Sequence, residues 1–301
     1  MRLVVLVVIA ACGVDVPSDY VAPTAPAVID GRAHVRSTPG AHVDLQTPEV
    51  IIGAGEERQW CWYIDNPLGE LAISGVTAFQ GTGGHHMSLM IPDVEKPSGT
   101  LEDCTSGSAN QDMRWFVQAT EPLPDGVALQ VPASMRLVVQ FHYVNATDNP
   151  RLLQDVLRFN LVTPDASTKW ATTMVASDVT FALPPGESTA HYACALDSDR
   201  DLVVMVGHMH ETGSKYQIAL GPSVDQLTTM QVVDPWLPQY RDAAPTLFYY
   251  DQPLHLPAGT VFETTCTWDN PTAQTLVYPS EMCFTFTYVL NSQTPAACNG
   301  I

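Results

Sequence analysis

Apolar residues in this chain fall into short runs, many alternating with polar neighbours, and proline or glycine punctuates nearly every gap between them. The runs at 49–52, 60–64, 71–78, 86–91, 128–131, 135–144 and 154–162 are rich in β-branched and aromatic residues and predict strands. After Thr163 and Pro164 the pattern restarts, at 179–183, 188–194, 202–209, 216–220, 229–233, 246–250, 261–267 and 283–290. No long stretch carries the period of an amphipathic helix. Short strands separated by turns predict an all-β protein built from antiparallel, jelly-roll-like β-sandwiches. The restart near 160–170 divides the chain into similar halves, so two sandwich domains packed side by side are expected, 46–162 and 163–301. Residues 13–45 carry Pro17, Pro23, Pro26 and Pro39 among small and polar residues and read as an extended tether.

The first twelve residues differ in character. Arg2 is followed by an apolar stretch, 3–9, too short to span a bilayer and suited to the core of a secretion signal. Ala10-Ala11-Cys12 resembles the lipobox of bacterial lipoproteins, in which the cysteine becomes the acylated N-terminus. A signal over 1–12, lipidation at Cys12 and a membrane-anchored protein on the periplasmic or cell-surface side are therefore expected. Six further cysteines remain, Cys61, Cys104, Cys194, Cys266, Cys283 and Cys298; an even number in an exported chain suggests three disulfides, with the pairing open on counting alone. With 13 basic against 32 acidic residues, a net charge of −19 and no basic run, nothing would neutralise a phosphate backbone, which argues against a nucleic-acid partner.

Histidine placement changes the picture most. His208-Met209-His210 closes the run at 202–209, and strand alternation puts His208 and His210 on one face, where both can bond one metal ion. In Gly83-Gly84-His85-His86-Met87 the adjacent histidines would point to opposite faces of a regular strand, so a shared ion requires a bend, which Gly81, Gly83 and Gly84 permit. His142, in Gln140-Phe141-His142-Tyr143, lies mid-strand; it either completes a three-imidazole set or is a hydrogen-bonded core residue. Imidazole suits zinc, copper, iron or nickel, whereas a thioether ligand points to copper, and spacing alone singles out none of the ten methionines. His34, His42, His191 and His255 fall outside these motifs. Asn145-Ala146-Thr147 matches an N-glycosylation acceptor pattern to which a bacterial lipoprotein gives no meaning.

Taken together, His85-His86-Met87, Gln140-Phe141-His142-Tyr143, His208-Met209-His210 and Glu281-Met282-Cys283 resemble the copper type II, ascorbate-dependent monooxygenases, the family of peptidylglycine alpha-hydroxylating and dopamine beta-monooxygenases. The order, separation and division of these motifs between halves match that family's catalytic core from about Val43 to Cys298. The resemblance implies two copper ions per chain. It assigns His85, His86 and His142 to an electron-transferring copper on the first domain. It assigns His208, His210 and Met282 to a second copper, where dioxygen binds and substrate is oxidised, with Gln140 between the two. It also implies the disulfides Cys61–Cys104, Cys194–Cys298 and Cys266–Cys283, and ascorbate or another one-electron reductant as co-substrate.

The substrate side departs from the family's pattern. The peptide-hydroxylating relatives place an arginine two residues before the His-x-His pair, and an asparagine and a tyrosine two and four residues beyond the copper methionine. Here those positions are Val206, Phe284 and Phe286. An apolar surface cannot compensate for burying a carboxylate, so the expected substrate is a small, neutral, apolar or aromatic molecule. The rival reading is a non-catalytic copper-binding or electron-transfer lipoprotein. A zinc hydrolase, with Glu211 after His210 as its base, has no other support.

Overall fold

The structure is a computed structural model describing residues 27–105, 112–118, 123–241, 244–278, 280–290 and 296–300. Cys12 and the signal lie outside the described residues. In the first half the strands are β1 (Ile29–Asp30), β2 (His42–Gln46), β3 (Val50–Ile52), β4 (Glu57–Asp65), β5 (Leu71–Phe79), β6 (Gly84–Pro92), β7 (Leu101–Asp103), β8 (Met113–Gln118), β9 (Val127–Val131), β10 (Arg136–Val144), β11 (Arg151–Leu153) and β12 (Val156–Leu161). In the second they are β13 (Lys169–Asp178), β14 (Ala182–Leu183), β15 (Gly186–Ala195), β16 (Arg200–His208), β17 (Gly213–Gly221), β18 (Thr228–Val233), β19 (Thr246–Phe248), β20 (Leu254–Leu256), β21 (Val261–Asn270), β22 (Leu276–Val277), β23 (Cys283–Leu290), β24 (Ala296–Ala297) and β25 (Asn299–Gly300). No α-helix occurs among the described residues, whose longest helical element is the 3-10 turn Pro238–Arg241, so the all-β expectation holds. No helix there is long and apolar enough to cross a membrane.

Each half is a two-sheet sandwich. In the first, β7-β4-β10-β6-β8 packs on β9-β5-β12-β2, with Leu89 and Val139 of one sheet meeting Ile73, Leu129 and Leu157 of the other in one buried cluster. In the second, β25-β15-β21-β17-β18 packs on β19-β16-β23-β13, around Ile218, Phe262 and Trp268 on one side and Met174, Met205 and Val289 on the other. All three disulfides implied by the resemblance are formed: Cys61–Cys104, Cys194–Cys298 and Cys266–Cys283. The last ties β21 to β23 across the second sandwich and, at a sequence separation of 17, contributes about 3 kcal/mol by restricting the unfolded chain.

The two halves repeat one topology. Strands starting at Glu57, Leu71 and Gly84 recur at Gly186, Arg200 and Gly213, each the same number of residues later. The order β4-β10-β6-β8 in the first five-stranded sheet recurs as β15-β21-β17-β18 in the second, the edge strands β7 and β25 differing. The small pair β3–β11 recurs as β14–β22. The repeat extends to side chains. Asn145, just beyond β10, donates its amide to the carbonyls of Ile52, Gly53 and Asn149, while its Oδ1 accepts from Thr147. Asn270, at the end of β21, donates to Leu183 and Gln274 and accepts from Thr272 in the same way.

Two features differ from the sequence expectation. Residues 27–45 are no free tether. β1 pairs in parallel with β11, β2 pairs with β12, and buried Arg158 clamps this segment, donating to Asp44 at 2.7 and 2.8 Å, to the Arg36 carbonyl and to Thr38. β13, in a stretch with no expected strand, is the ten-residue member that joins the halves. It pairs with β23 on one side and in parallel with β9 on the other, making one ten-stranded sheet that runs through both sandwiches. Small Ala171, Thr172, Thr173 and Ala176 are buried beside the bulkier Met174, on adjacent positions of both faces, so it lacks the regular bulky alternation that marks a strand in sequence.

Truncating either repeat asparagine leaves buried carbonyls without donors. Asn145→Ala and Asn270→Ala are each expected to lower unfolding stability by about 2 kcal/mol, read by urea denaturation.

Candidate metal centre

His85, His86 and His142 meet because of an irregularity in β6. The β6–β10 ladder pairs His142 with His86 and Tyr143 with Gly84, which leaves His85 as the extra residue of a β-bulge. Gly83 sets it up. It has φ +90°, and a Cβ there would lie 2.6 Å from the Val144 carbonyl oxygen, so only glycine fits. The bend anticipated between His85 and His86 is thus present, and it turns both rings toward His142, with ring centroids 5.0 to 5.3 Å apart in all three pairs. One ligand nitrogen from each lies within 4.8 Å of the others. The Nδ1 atoms of His85 and His86 are 3.0 Å apart, and a metal ion bonded to both at about 2.0 Å would hold them roughly 3.3 Å apart. The Nε2 of His142 is taken by Glu57, 2.8 Å away, while its buried Nδ1 has no hydrogen-bond partner. A buried, orphaned lone pair beside two convergent imidazoles fits a metal ion, with Glu57 fixing the ring.

On the second half β16 ends at His208, one residue short of the expected run. Met209 turns inward and is fully buried, and His210 leaves the strand, yet the two rings remain 5.2 Å apart. Buried Glu281 builds this corner. It accepts from the His210 and Thr212 backbone amides, the Thr212 hydroxyl and the Trp268 indole N–H, each within 3.1 Å. His210 Nδ1 lies 3.0 Å from the Ser280 carbonyl, so Nδ1 carries the proton and Nε2 is the free ligand atom. Met282, adjacent to the disulfide-bonded Cys283, is 9% exposed and lines the same cleft as His208 and His210.

That cleft lies at the junction of the two halves and takes residues from both: Gln59, His86, Trp115 and Gln140 from the first, and His208, His210, Arg241, Tyr278, Met282 and Phe286 from the second. Of the three apolar positions expected beside Met282, Phe286 is in the cleft wall, 5.2 Å from Trp115 across the junction and 5.9 Å from His208. Phe284 is buried behind it, against Tyr278. Val206 pairs with Phe286 across the ladder and does not reach the cleft. Trp115, Tyr278, Glu57 and Arg241 were not anticipated. Arg241 Nη2 donates to His85 Nδ1 at 3.3 Å, and Nη1 donates to Glu211, which is thereby paired and not disposed as a base.

Burial dominates the electrostatics. It holds His86 and His208 well below the ordinary imidazole value and lowers His142 and His210 to about 4, with the neighbouring histidines and Arg241 adding to the effect. All four are neutral at pH 7, the form in which imidazole binds a metal. Burial also pushes Glu281 up, against its four donors. For Glu211 the effect of burial is outweighed by the Arg241 hydrogen bond and charge, which lower its pKa.

The second half shows what in this geometry belongs to the scaffold. The β17–β21 ladder has the same bulge, with Ser214 as its extra residue and Lys215 opposite Thr267. Tyr143 bonded to buried Asp155 in the first half corresponds to Trp268 bonded to buried Glu281 in the second. The bulge is therefore common to both sandwiches, and histidines occupy it in one.

No protein-family description matches the chain, and no curated protein matches it. Among solved structures, the major capsid protein P2 of bacteriophage PM2 is similar at 10% identity and TM-score 0.34, over 84% of this chain and 99% of that one. The ANXUR2 extracellular domain of Arabidopsis thaliana is similar at 8% identity and TM-score 0.18, over 93% and 97% respectively. Neither likeness bears on function.

Two outcomes are expected. Because the buried imidazoles lose their protons below the usual value, metal affinity should stay nearly flat from pH 7 to about 5 and fall only as pH approaches 4; unperturbed imidazoles would lose affinity from about pH 6.5 downward. Calorimetric titration at stepped pH distinguishes the two. Gly83→Ala should weaken metal binding at the His85/His86/His142 group at least tenfold by distorting the bulge and leave the His208/His210 group unaffected, read as loss of one of two binding phases.

Proposed function

We propose that this chain is a copper-dependent monooxygenase that hydroxylates a C–H bond of a small, apolar or aromatic molecule, using dioxygen and an external one-electron reductant such as ascorbate. The observation that carries the reading is the convergence of His85, His86 and His142 next to a cleft between the halves that His86 lines together with His208, His210 and Met282. Three imidazoles accommodate both copper oxidation states, and two imidazoles with a thioether favour the reduced one. Copper, when bound, supplies the one-electron chemistry and the activation of dioxygen.

The protein's own part is positional. Glu57 orients His142, and the Ser280 carbonyl orients His210, so each ring presents its other nitrogen. Glu281 fixes the backbone from His210 to Thr212, and the Cys266–Cys283 bridge anchors the chain next to Met282. Phe286 and Trp115 form an aromatic wall beside His208 that excludes water and offers a ring-shaped substrate a stacking surface. Buried Gln140 lines the cleft together with His86 of the first ligand set and His208, His210 and Met282 of the second. The three disulfides accord with an exported protein, and the reading places it as a lipoprotein held to a membrane through Cys12.

The test is oxygen uptake by copper-loaded protein with ascorbate, with and without candidate aromatic substrates. Substrate-dependent uptake should fall at least a hundredfold in Met282→Ala and in His210→Ala. Reversible copper reduction with no substrate-coupled uptake would establish the electron-carrier alternative instead.

A further inference from the structure

We propose that Arg241 is an electrostatic tuning residue for the His85/His86/His142 centre, biasing a copper ion held there toward its singly charged, reduced state. The inference rests on the copper reading above and adds a residue that the family resemblance does not supply.

Its basis is the position of the guanidinium. Arg241 ends the 3-10 turn Pro238–Arg241 of the second half and crosses the cleft to the first, where Nη2 donates to His85 Nδ1 at 3.3 Å. That nitrogen is the ligand atom facing His86 Nδ1, 3.0 Å away. Its Nη1 is tied to Glu211, so the side chain stays beside the trio even when a metal takes the His85 lone pair and breaks the Nη2 contact. A guanidinium does not deprotonate in a protein, so its charge cannot be relieved.

A metal ion at the trio and this guanidinium therefore repel at a separation of a few ångströms. The Arg241 side chain is 13% exposed, whereas its counter-ion Glu211 is 51% exposed. Water screens the carboxylate more than the guanidinium, leaving a net positive field at the trio. Repulsion scales with ion charge, so Cu(II) is weakened about twice as much as Cu(I). The one-electron couple moves toward Cu(I), the electron coming from an external donor such as ascorbate. No bond to Arg241 is made or broken in that step and no proton moves. Such a bias holds an electron at this centre until the partner site needs it.

The test uses full-length protein carrying His208→Ala and His210→Ala, so that the trio copper is read alone. Cu(II) and Cu(I) affinities are measured by competition with chelators, and the midpoint potential by a redox titration followed through the Cu(II) EPR signal. Arg241→Gln should tighten Cu(II) over Cu(I) by roughly tenfold, the size expected of one further unit of ion charge near a guanidinium in a medium between protein and water, and lower the midpoint. Arg241→Lys should retain most of the wild-type ratio, and Glu211→Gln should raise the midpoint. An unchanged ratio, or equal tightening of both ions, in Arg241→Gln overturns the proposal, the second result marking Arg241 as a simple competitor for His85. If Arg241→Gln fails to fold, Arg241→Met, which keeps most of the side chain's length without its charge, decides, and an unmoved ratio there overturns it too. A trio that takes up no copper removes the copper reading and this inference together; copper bound with an unresponsive potential removes this inference alone.

Discussion

The parallel pairing of Lys169–Ala171 with Val127–Leu129 is the contact on which the rest of the arrangement depends. Each ligand set belongs to one half, so either sandwich could position its own imidazoles. What the β9–β13 junction adds is their mutual placement. It makes one sheet of two and carries the first core into the second half through Ala171, Val203, Val204 and Leu290. It also brings Trp115 against Phe286, while Thr173 donates to the Phe116 carbonyl nearby.

Much of the architecture could be read from residue order, for a physical reason. Strands such as β5, β10 and β23 carry bulky residues on their core faces, and that pattern is local. β13 escapes because it is flanked by strands on both sides and buries consecutive residues, Ala171 to Met174, so its two faces show no polar-apolar contrast. The docking of 27–45 escapes because it rests on Arg158, more than a hundred residues away in the chain. Composition describes a proline-rich segment without saying what holds it.

The site divides along the same line. His85, His86, His142, His208 and His210 are legible because short motifs mark them, and Met282 because it accompanies a recognisable pattern. Trp115, Tyr278 and Arg241 line the cleft and Glu57 bonds His142, yet none of the four carries a motif. Glycine upstream of His85 signals the bend, but its ultimate cause is the scaffold, since the same bulge forms at Ser214. Val206 shows the limit of strand alternation. It shares a face with His208, yet Phe286 stands between it and the cleft.

The repeated topology bears on how such a molecule could arise. The nine-residue strand that ends in His208 corresponds to one that ends in Phe79, and the bulge that carries His85 and His86 corresponds to one that carries Ser214 and Lys215. The two metal-binding corners thus use different addresses on one blueprint. If an ancestral sandwich was copied and fused, no ligand set survives at the same position in both halves. The halves have therefore diverged at both corners, and each holds the unused counterpart of its neighbour's corner, open to redesign.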